Sequence, residues 1–135
     1  MAGMIDLLHK ALNAHDAAEM ASLFAEDYRS IQPLHPSRAF TGRAQVLKNW
    51  SAVFADVPDL IAVVVASSVA GDTEWAEWDW RGHHADGSVF MTRGVTIMVI
   101  RNGLIAEMRL YLEAVEVGGR DIDAFVQETY HPSTE

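Results

Sequence analysis

The chain has 135 residues, of which half are hydrophobic and about a fifth are charged, so it is long enough for one domain with its own core and too apolar to be disordered. Its formal net charge of −9, with no cluster of Lys or Arg, argues against nucleic-acid and anionic-membrane partners. It contains no cysteine, which excludes disulfides and thiolate catalysis. We expect one domain over residues 1–135, soluble and cytoplasmic, because neither a signal peptide nor a membrane span is recognisable.

Three helices are predicted in the first half of the chain. Ile5, Leu8 and Leu12 recur at helical spacing, and Asp16 is a suitable N-cap for a second, short helix. A third helix follows Gly42 and ends before Pro58. Its predicted apolar stripe consists of Val46, Trp50, Val53, Phe54 and Val57.

Four β-type segments follow Pro58. They are separated by turn signals, of which Asn102-Gly103 is a strong hairpin signal, so the strands are predicted to form an antiparallel meander. A short strand is also predicted at YRSIQP and a short C-terminal helix at RDIDAFVQETY. The predicted fold class is α+β, a cone in which three N-terminal helices pack on a strongly curved antiparallel sheet around an interior cavity.

The segment EWAEWDWRGHH predicts a strand with two different faces. Glu77, Asp79 and Arg81 alternate with Trp78 and Trp80. If the charged face lines the cavity, the two carboxylates form a proton-transfer pair, because two carboxyl groups in an apolar cup do not both ionise and one pKa rises. In the alternative, the tryptophans fill the core and the charges lie on the outer face or at a dimer interface.

Four stretches are informative about the family: NAHDAAEMASLFAEDY, P…FTGRAQV, WDWRGHHADG and RGVTIMVIRNGLIAEMRLYLE. They resemble the SnoaL-like branch of the nuclear transport factor 2-like superfamily. The resemblance extends from about Met4 to Glu116, and it implies the cone-shaped fold. The superfamily includes isomerases, cyclases, dehydratases, epoxide hydrolases and non-enzymatic binding proteins.

The resemblance also implies roles for individual positions. Compared with the limonene epoxide hydrolases, Asp79 stands at one of two catalytic aspartates, Glu77 at the arginine that bridges them, and Leu110 at the second aspartate. Gln32 stands at the asparagine that helps to hold the attacking water. The RGHH segment resembles the GTH turn of the polyketide cyclases, which places His84 at their histidine.

Two hypotheses about function follow. The first is a cofactor-free enzyme of the isomerase, cyclase, dehydratase or hydrolase type, in which Asp79 with Glu77 transfers protons on a small hydrophobic substrate. The second is a non-catalytic dimer of the same fold that binds a hydrophobic small molecule. The candidates for substrate binding are Gln32, Trp50, Phe54, Arg81, His84 and Leu110.

Neither a metal nor another cofactor is expected. His83 and His84 are adjacent on a predicted strand, so their side chains point to opposite faces and cannot share one metal ion. The resemblance also implies a homodimer in which a second subunit covers the other face of the sheet. If Glu77 and Asp79 face the cavity, Trp78 and Trp80 give that dimer an aromatic interface.

Overall fold

The computed structural model describes residues 3–130. Its helices are α1 (Met4–Ala14), α2 (Ala17–Ser22), α3 (Arg43–Asp56) and α4 (Ile122–Thr129). Its strands are β1 (Phe24–Ile31), β2 (Phe40–Thr41), β3 (Ile61–Ala70), β4 (Thr73–His83), β5 (Val89–Arg101) and β6 (Leu104–Ala114). The α+β cone with three N-terminal helices and a short C-terminal helix is confirmed.

The sheet is mixed, with the strand order β2-β1-β6-β5-β4-β3. The meander from β3 to β6 is antiparallel, as predicted. The difference from the prediction is β1, which begins at Phe24 and pairs in parallel with β6. Pairing of β1 with the last strand depends on a contact between distant parts of the chain, and local sequence patterns contain no signal for such a contact.

Side-chain hydrogen bonds fix the starts of the first two helices. Asp16 Oδ1 accepts a hydrogen bond of 3.0 Å from the Glu19 amide, which makes Asp16 the predicted N-cap of α2. At the start of α1, the Glu74 carboxylate accepts hydrogen bonds from the amides of Met4 and Ile5, at 3.3 and 3.0 Å. A negative charge is favourable at a helix N-terminus, so Glu74 holds α1 against β4.

The edge of β3 is covered by polar side chains at the C-terminal end of α1. Asn13 Oδ1 accepts from the Ala62 amide at 2.7 Å, and Asn13 Nδ2 donates to the Ala62 carbonyl at 3.0 Å. His15 Nε2 donates to the Leu60 carbonyl at 2.6 Å. These bonds satisfy backbone groups that an edge strand leaves unpaired, and they hold the helices over the concave face of the sheet.

The apolar side of α4 is uncovered in the single chain. Ile122, Phe125 and Val126 are 74%, 41% and 42% exposed.

No helix within residues 3–130 is long and apolar enough to cross a membrane. The homodimer through the sheet stays a prediction.

Candidate functional site

The two tryptophans of β4 face the interior. Trp78 and Trp80 are 1% and 8% exposed, and the indole Nε1 of Trp78 donates a buried hydrogen bond of 2.8 Å to Thr96 Oγ1 on β5. Burying two indoles stabilises the fold by several kcal/mol, on the order of 2 to 3 kcal/mol each, whereas burying unpaired charges costs at least as much. The sheet therefore turns its tryptophan face inward.

Of the two alternatives for β4, the one that places the catalytic candidates Asp79 and Glu77 at the cavity is therefore wrong. Asp79 lies on the outer face, where its Oδ2 accepts a hydrogen bond of 2.8 Å from Arg81 Nη2 and its Oδ1 lies 3.6 Å from Arg93 Nε. The Arg81 guanidinium holds the pKa of the Asp79 carboxyl below its usual value. Glu77 is exposed on the same face. Neither carboxylate reaches the interior cavity. Arg81, which was expected at the cavity wall, lies on the outer face with them.

The concave face and the first three helices enclose a cavity of about 260 Å³. Three of the expected binding residues contribute to its wall: Gln32, Trp50 and Leu110. Most of the wall is apolar or aromatic, and no Asp, Glu, His, Lys or Arg lines it among residues 3–130. Besides Gln32, its polar side chains are Tyr28, Ser30, Asn49, Thr92 and Thr96.

Tyr28 is the one ionisable side chain in the described part of this wall. It is 2% exposed, and burial raises the pKa of its phenol well above its usual value. A hydrogen bond with Ser30 and the nearby Glu107 carboxylate modify the pKa to a smaller extent. Tyr28 is therefore a neutral phenol at physiological pH and offers a hydroxyl group rather than a charge.

Three side chains of the wall carry N–H groups that can donate a hydrogen bond, namely Trp80, Gln32 and Asn49. Trp80 Nε1 is buried and has no partner among the described residues. Gln32 Oε1 accepts a long hydrogen bond of 3.4 Å from Arg38, and because a guanidinium only donates, this contact leaves the Gln32 amide NH₂ free to donate elsewhere. Asn49 Oδ1 accepts from Gln45 Nε2 at 2.6 Å, which orients Asn49 in the same sense. The wall thus favours a ligand that carries hydrogen-bond acceptors.

Phe54 lies behind the cavity wall rather than in it. It is 9% exposed, and its ring packs against Trp50 and His15 at centroid distances of 5.5 and 5.4 Å. Phe54 lies one helical turn after Trp50 on the same face of α3, and it continues that face past the cavity to the ring of His15. The expectation that Phe54 contacts a ligand is wrong, and it instead supports Trp50.

His83 and His84 form two parallel pairs with aspartates at and beyond the end of α3. His83 Nδ1 lies 2.7 Å from Asp59 Oδ2, and His84 Nδ1 lies 2.6 Å from Asp56 Oδ2. These hydrogen bonds lower the pKa of both aspartates. The histidines bind different carboxylates, and no group of three or more metal-ligating side chains comes together in residues 3–130.

A second cavity of about 300 Å³, which is open to solvent at the surface, adjoins the first, and His84 lies there instead of in the central cavity. Phe90 and Thr92 contribute to the walls of both cavities. The imidazole of His84 meets the Phe90 ring edge-on at a centroid distance of 5.5 Å. The rest of the second wall is Val89, Met91, Ala114, Val115 and Val117.

Local sequence patterns contain little signal for these neighbours. Asp56 and Asp59 are 28 and 24 residues from their histidines, and alternation within β4 does not connect them with His83 and His84. Thr92 is detectable in principle, because it lies opposite Trp80 in the β4–β5 pairing and opposed residues share a face.

Comparison with known proteins gives a family match and a set of similar folds. The model of the SnoaL-like domain matches residues 5–108. No curated protein matches the chain.

The similar solved structures have low sequence identity. A proposed isomerase from Bacillus subtilis has a TM-score of 0.72 at 17% identity, covering 82% of this chain and 84% of that one. A hypothetical protein from Catenulispora acidiphila, with a ketosteroid isomerase-like fold and in complex with trimethylamine, has a TM-score of 0.70 at 18% identity, covering 81% and 84%. IdmH, a proposed polyketide cyclase from Streptomyces antibioticus, has a TM-score of 0.68 at 22% identity, covering 82% and 88%. At these low sequence identities, the similarity shows a shared fold and nothing about activity.

Proposed function

The chain belongs to the SnoaL-like domain family, and on that premise we propose that it binds a small, largely hydrophobic molecule with an acceptor oxygen in the central cavity. The observation that carries the proposal is Trp80 Nε1, a buried donor without a partner among the described residues, in a wall that is mostly apolar or aromatic. An unpaired buried donor costs about 1 to 3 kcal/mol. The atom has no contact with the free space of the cavity, so a ligand oxygen reaches it only when the side chains around the indole shift. A hydrogen bond to that oxygen would then remove this cost, so the site favours ketones, esters and ethers over plain hydrocarbons.

The size of the cavity supports a ligand of one or two rings. A dry protein cavity of about 150 Å³ is sufficient for benzene, and the central cavity measures about 260 Å³. The aromatic rings of Trp50 and Trp80 meet edge to face at 5.3 Å and provide flat surfaces on which a ring can stack. The absence of charged side chains from the described wall disfavours an ionised ligand.

The second candidate is a cofactor-free enzyme of the isomerase, cyclase, dehydratase or hydrolase type that works in the same fold. The isomerase and cyclase descriptions of the similar structures favour it. In this candidate the donor of Trp80 stabilises negative charge that develops on a substrate oxygen. The carboxylates Asp79 and Glu77 have no part in it, because they lie on the outer face.

A homodimer formed through the sheet and a cytoplasmic location complete the proposal. The outer face of the sheet supports the dimer, since Val63, Trp75 and Tyr111 are 48%, 42% and 36% exposed there. The lack of cysteine is compatible with a reducing compartment.

A matched pair of ligands tests the proposed binding. 1-Tetralone and tetralin have the same bicyclic skeleton and differ in one carbonyl group. We expect both to change the tryptophan fluorescence of the native protein. In Trp80→Phe, the dissociation constant for 1-tetralone should rise about 2- to 10-fold relative to that for tetralin, the range for one hydrogen bond.

The control variant is Trp75→Phe, which removes an indole from the outer face. It should leave the ratio of the two dissociation constants unchanged. Failure of the native protein to bind either compound would reject the proposal, and an unchanged ratio in Trp80→Phe would reject the role of the indole donor.

A further inference from the structure

We propose that His84, positioned by Asp56, is a general base that removes a proton from a substrate in the second cavity. The inference concerns a different cavity from the one that carries the proposed function and does not depend on its occupant. Its basis is the combination of a histidine held by a carboxylate and an apolar cavity that the histidine lines.

Both oxygens of Asp56 are engaged, which fixes the position of the carboxylate. Oδ2 lies 2.6 Å from His84 Nδ1, and Oδ1 accepts from the Ala85 amide at 3.1 Å. When a carboxylate accepts from Nδ1–H of a neutral imidazole, the lone pair is on Nε2. His84 Nε2 is therefore the ring nitrogen left to accept a proton.

The surroundings of His84 are suited to a hydrophobic substrate. The imidazole stands on the edge of Phe90, and Val89, Met91 and Val115 continue the wall. Within the described residues, His84 is the one ionisable side chain of that wall. A base beside an apolar surface removes protons from weakly acidic C–H groups more readily than one in bulk water, because the substrate is held against it.

The neighbouring pair, His83 with Asp59, provides a matched control within the chain. Its geometry is similar, with Nδ1 2.7 Å from Asp59 Oδ2 and the His83 amide donating to Asp59 Oδ1 at 2.8 Å. His83 lies at neither cavity wall and its side chain is 60% exposed. The two pairs share their chemistry and differ in access to an apolar site, so His83 should not catalyse.

The probe is 5-nitrobenzisoxazole, a small apolar compound with one acidic C–H bond. His84 Nε2 takes the proton from C3, and the electron pair of that C–H bond becomes the third bond of a nitrile. The N–O bond breaks, and its pair remains on oxygen as the phenolate of 2-cyano-4-nitrophenol, which is yellow. The reaction needs no oxidant, reductant or cofactor.

We expect the native protein to accelerate this ring opening above the buffer rate. His84→Ala should lower the protein-dependent rate by at least about tenfold. The reason is that a positioned general base contributes about a hundredfold or more to the rate. His83→Ala should stay within about twofold of the native rate. Added imidazole should restore part of the rate to His84→Ala, because it can occupy the space of the missing ring.

Asp56 is a positioning residue in this proposal, and Asp59 is its matched counterpart. Asp56→Ala should lower the rate and Asp59→Ala should not. Circular dichroism verifies that each variant is folded, and His84→Gln provides a second variant if His84→Ala does not fold. A native rate equal to that of the buffer, or equal losses in His83→Ala and His84→Ala, would overturn the proposal.

The ring-opening experiment and the ligand-binding experiment can fail independently of each other. A protein that binds 1-tetralone but leaves 5-nitrobenzisoxazole at the buffer rate contradicts the role of His84 alone. A protein that opens the ring but does not bind 1-tetralone contradicts the proposal for the central cavity alone.

Discussion

The indole Nε1 of Trp78 donates a hydrogen bond of 2.8 Å to Thr96 Oγ1 across the β4–β5 pair, and both side chains are buried. The bond gives the largest fully buried side chain of the core a partner for its polar atom. It therefore makes the inward direction of Trp78 compatible with a dry interior. Since alternate residues of a strand point to opposite faces, the same bond holds Asp79 outside.

Replacing Thr96 by Val should destabilise the protein. Valine has the shape of threonine but leaves Trp78 Nε1 without an acceptor, which costs about 1 to 3 kcal/mol in the free energy of unfolding. Urea denaturation measures the difference. Thr92→Val is the control, because no indole donates to Thr92 among the described hydrogen bonds, and it should change the stability by no more than about 0.5 kcal/mol. Equal effects of the two variants would contradict the importance of the bond.

Gly94 should tolerate no side chain. It lies opposite Trp78 in the sheet, has φ = +152°, and a Cβ there would collide with the Tyr111 carbonyl oxygen. Gly94→Ala should lower the free energy of unfolding by at least about 2 kcal/mol. Gly87 also has a positive φ, of 88°, but no atom lies within 4 Å of the place that an alanine methyl group would take. Gly87→Ala should therefore cost only about 1 kcal/mol, and a reversed order would contradict the close contact at Gly94.

Asp79→Asn should affect acid stability and leave ligand binding unchanged. The folded pKa of Asp79 is below its usual value because Arg81 stabilises the carboxylate, so this stabilisation is present above the unfolded pKa of about 4 and is lost as the pH falls through the folded pKa. At pH 7 the variant should be less stable by about 1 kcal/mol or less. The difference should shrink toward about pH 2 in urea titrations. A lost affinity for 1-tetralone would place Asp79 at the ligand and contradict its outer position.

Periodicity predicts α1, α3 and the antiparallel meander, whereas it does not predict that α2 ends at Ser22 and that β1 begins at Phe24. The apolar stripe of α3 and the turn at Asn102-Gly103 are local signals, and the structure has the helix and the hairpin at those places. The parallel pairing of β1 with β6 was not predictable in this way, because it joins residues about 80 positions apart, such as Phe24 and Ile105.

Alternation in β4 could not decide which face of the strand is buried. It separates Trp78 and Trp80 from Glu77 and Asp79, but either set can face inward in a sequence pattern. The indoles face inward because their burial is favourable and because Asp79 pairs with Arg81 and Arg93 on the outer face of the sheet. The position-by-position resemblance to the epoxide hydrolases pointed the other way, and Leu110, at the second aspartate of that comparison, lines the cavity as a leucine.

The most direct test of the central claim uses the four tryptophans as reporters. Trp50, Trp78 and Trp80 line the central cavity, whereas Trp75 lies on the outer face of β4 and is 42% exposed. In protein labelled with 5-fluorotryptophan and assigned through Trp→Phe variants, 1-tetralone should shift the ¹⁹F resonances of the three cavity residues and leave that of Trp75 in place. A shift of the Trp75 resonance with those of Trp78 and Trp80 unchanged would contradict the account.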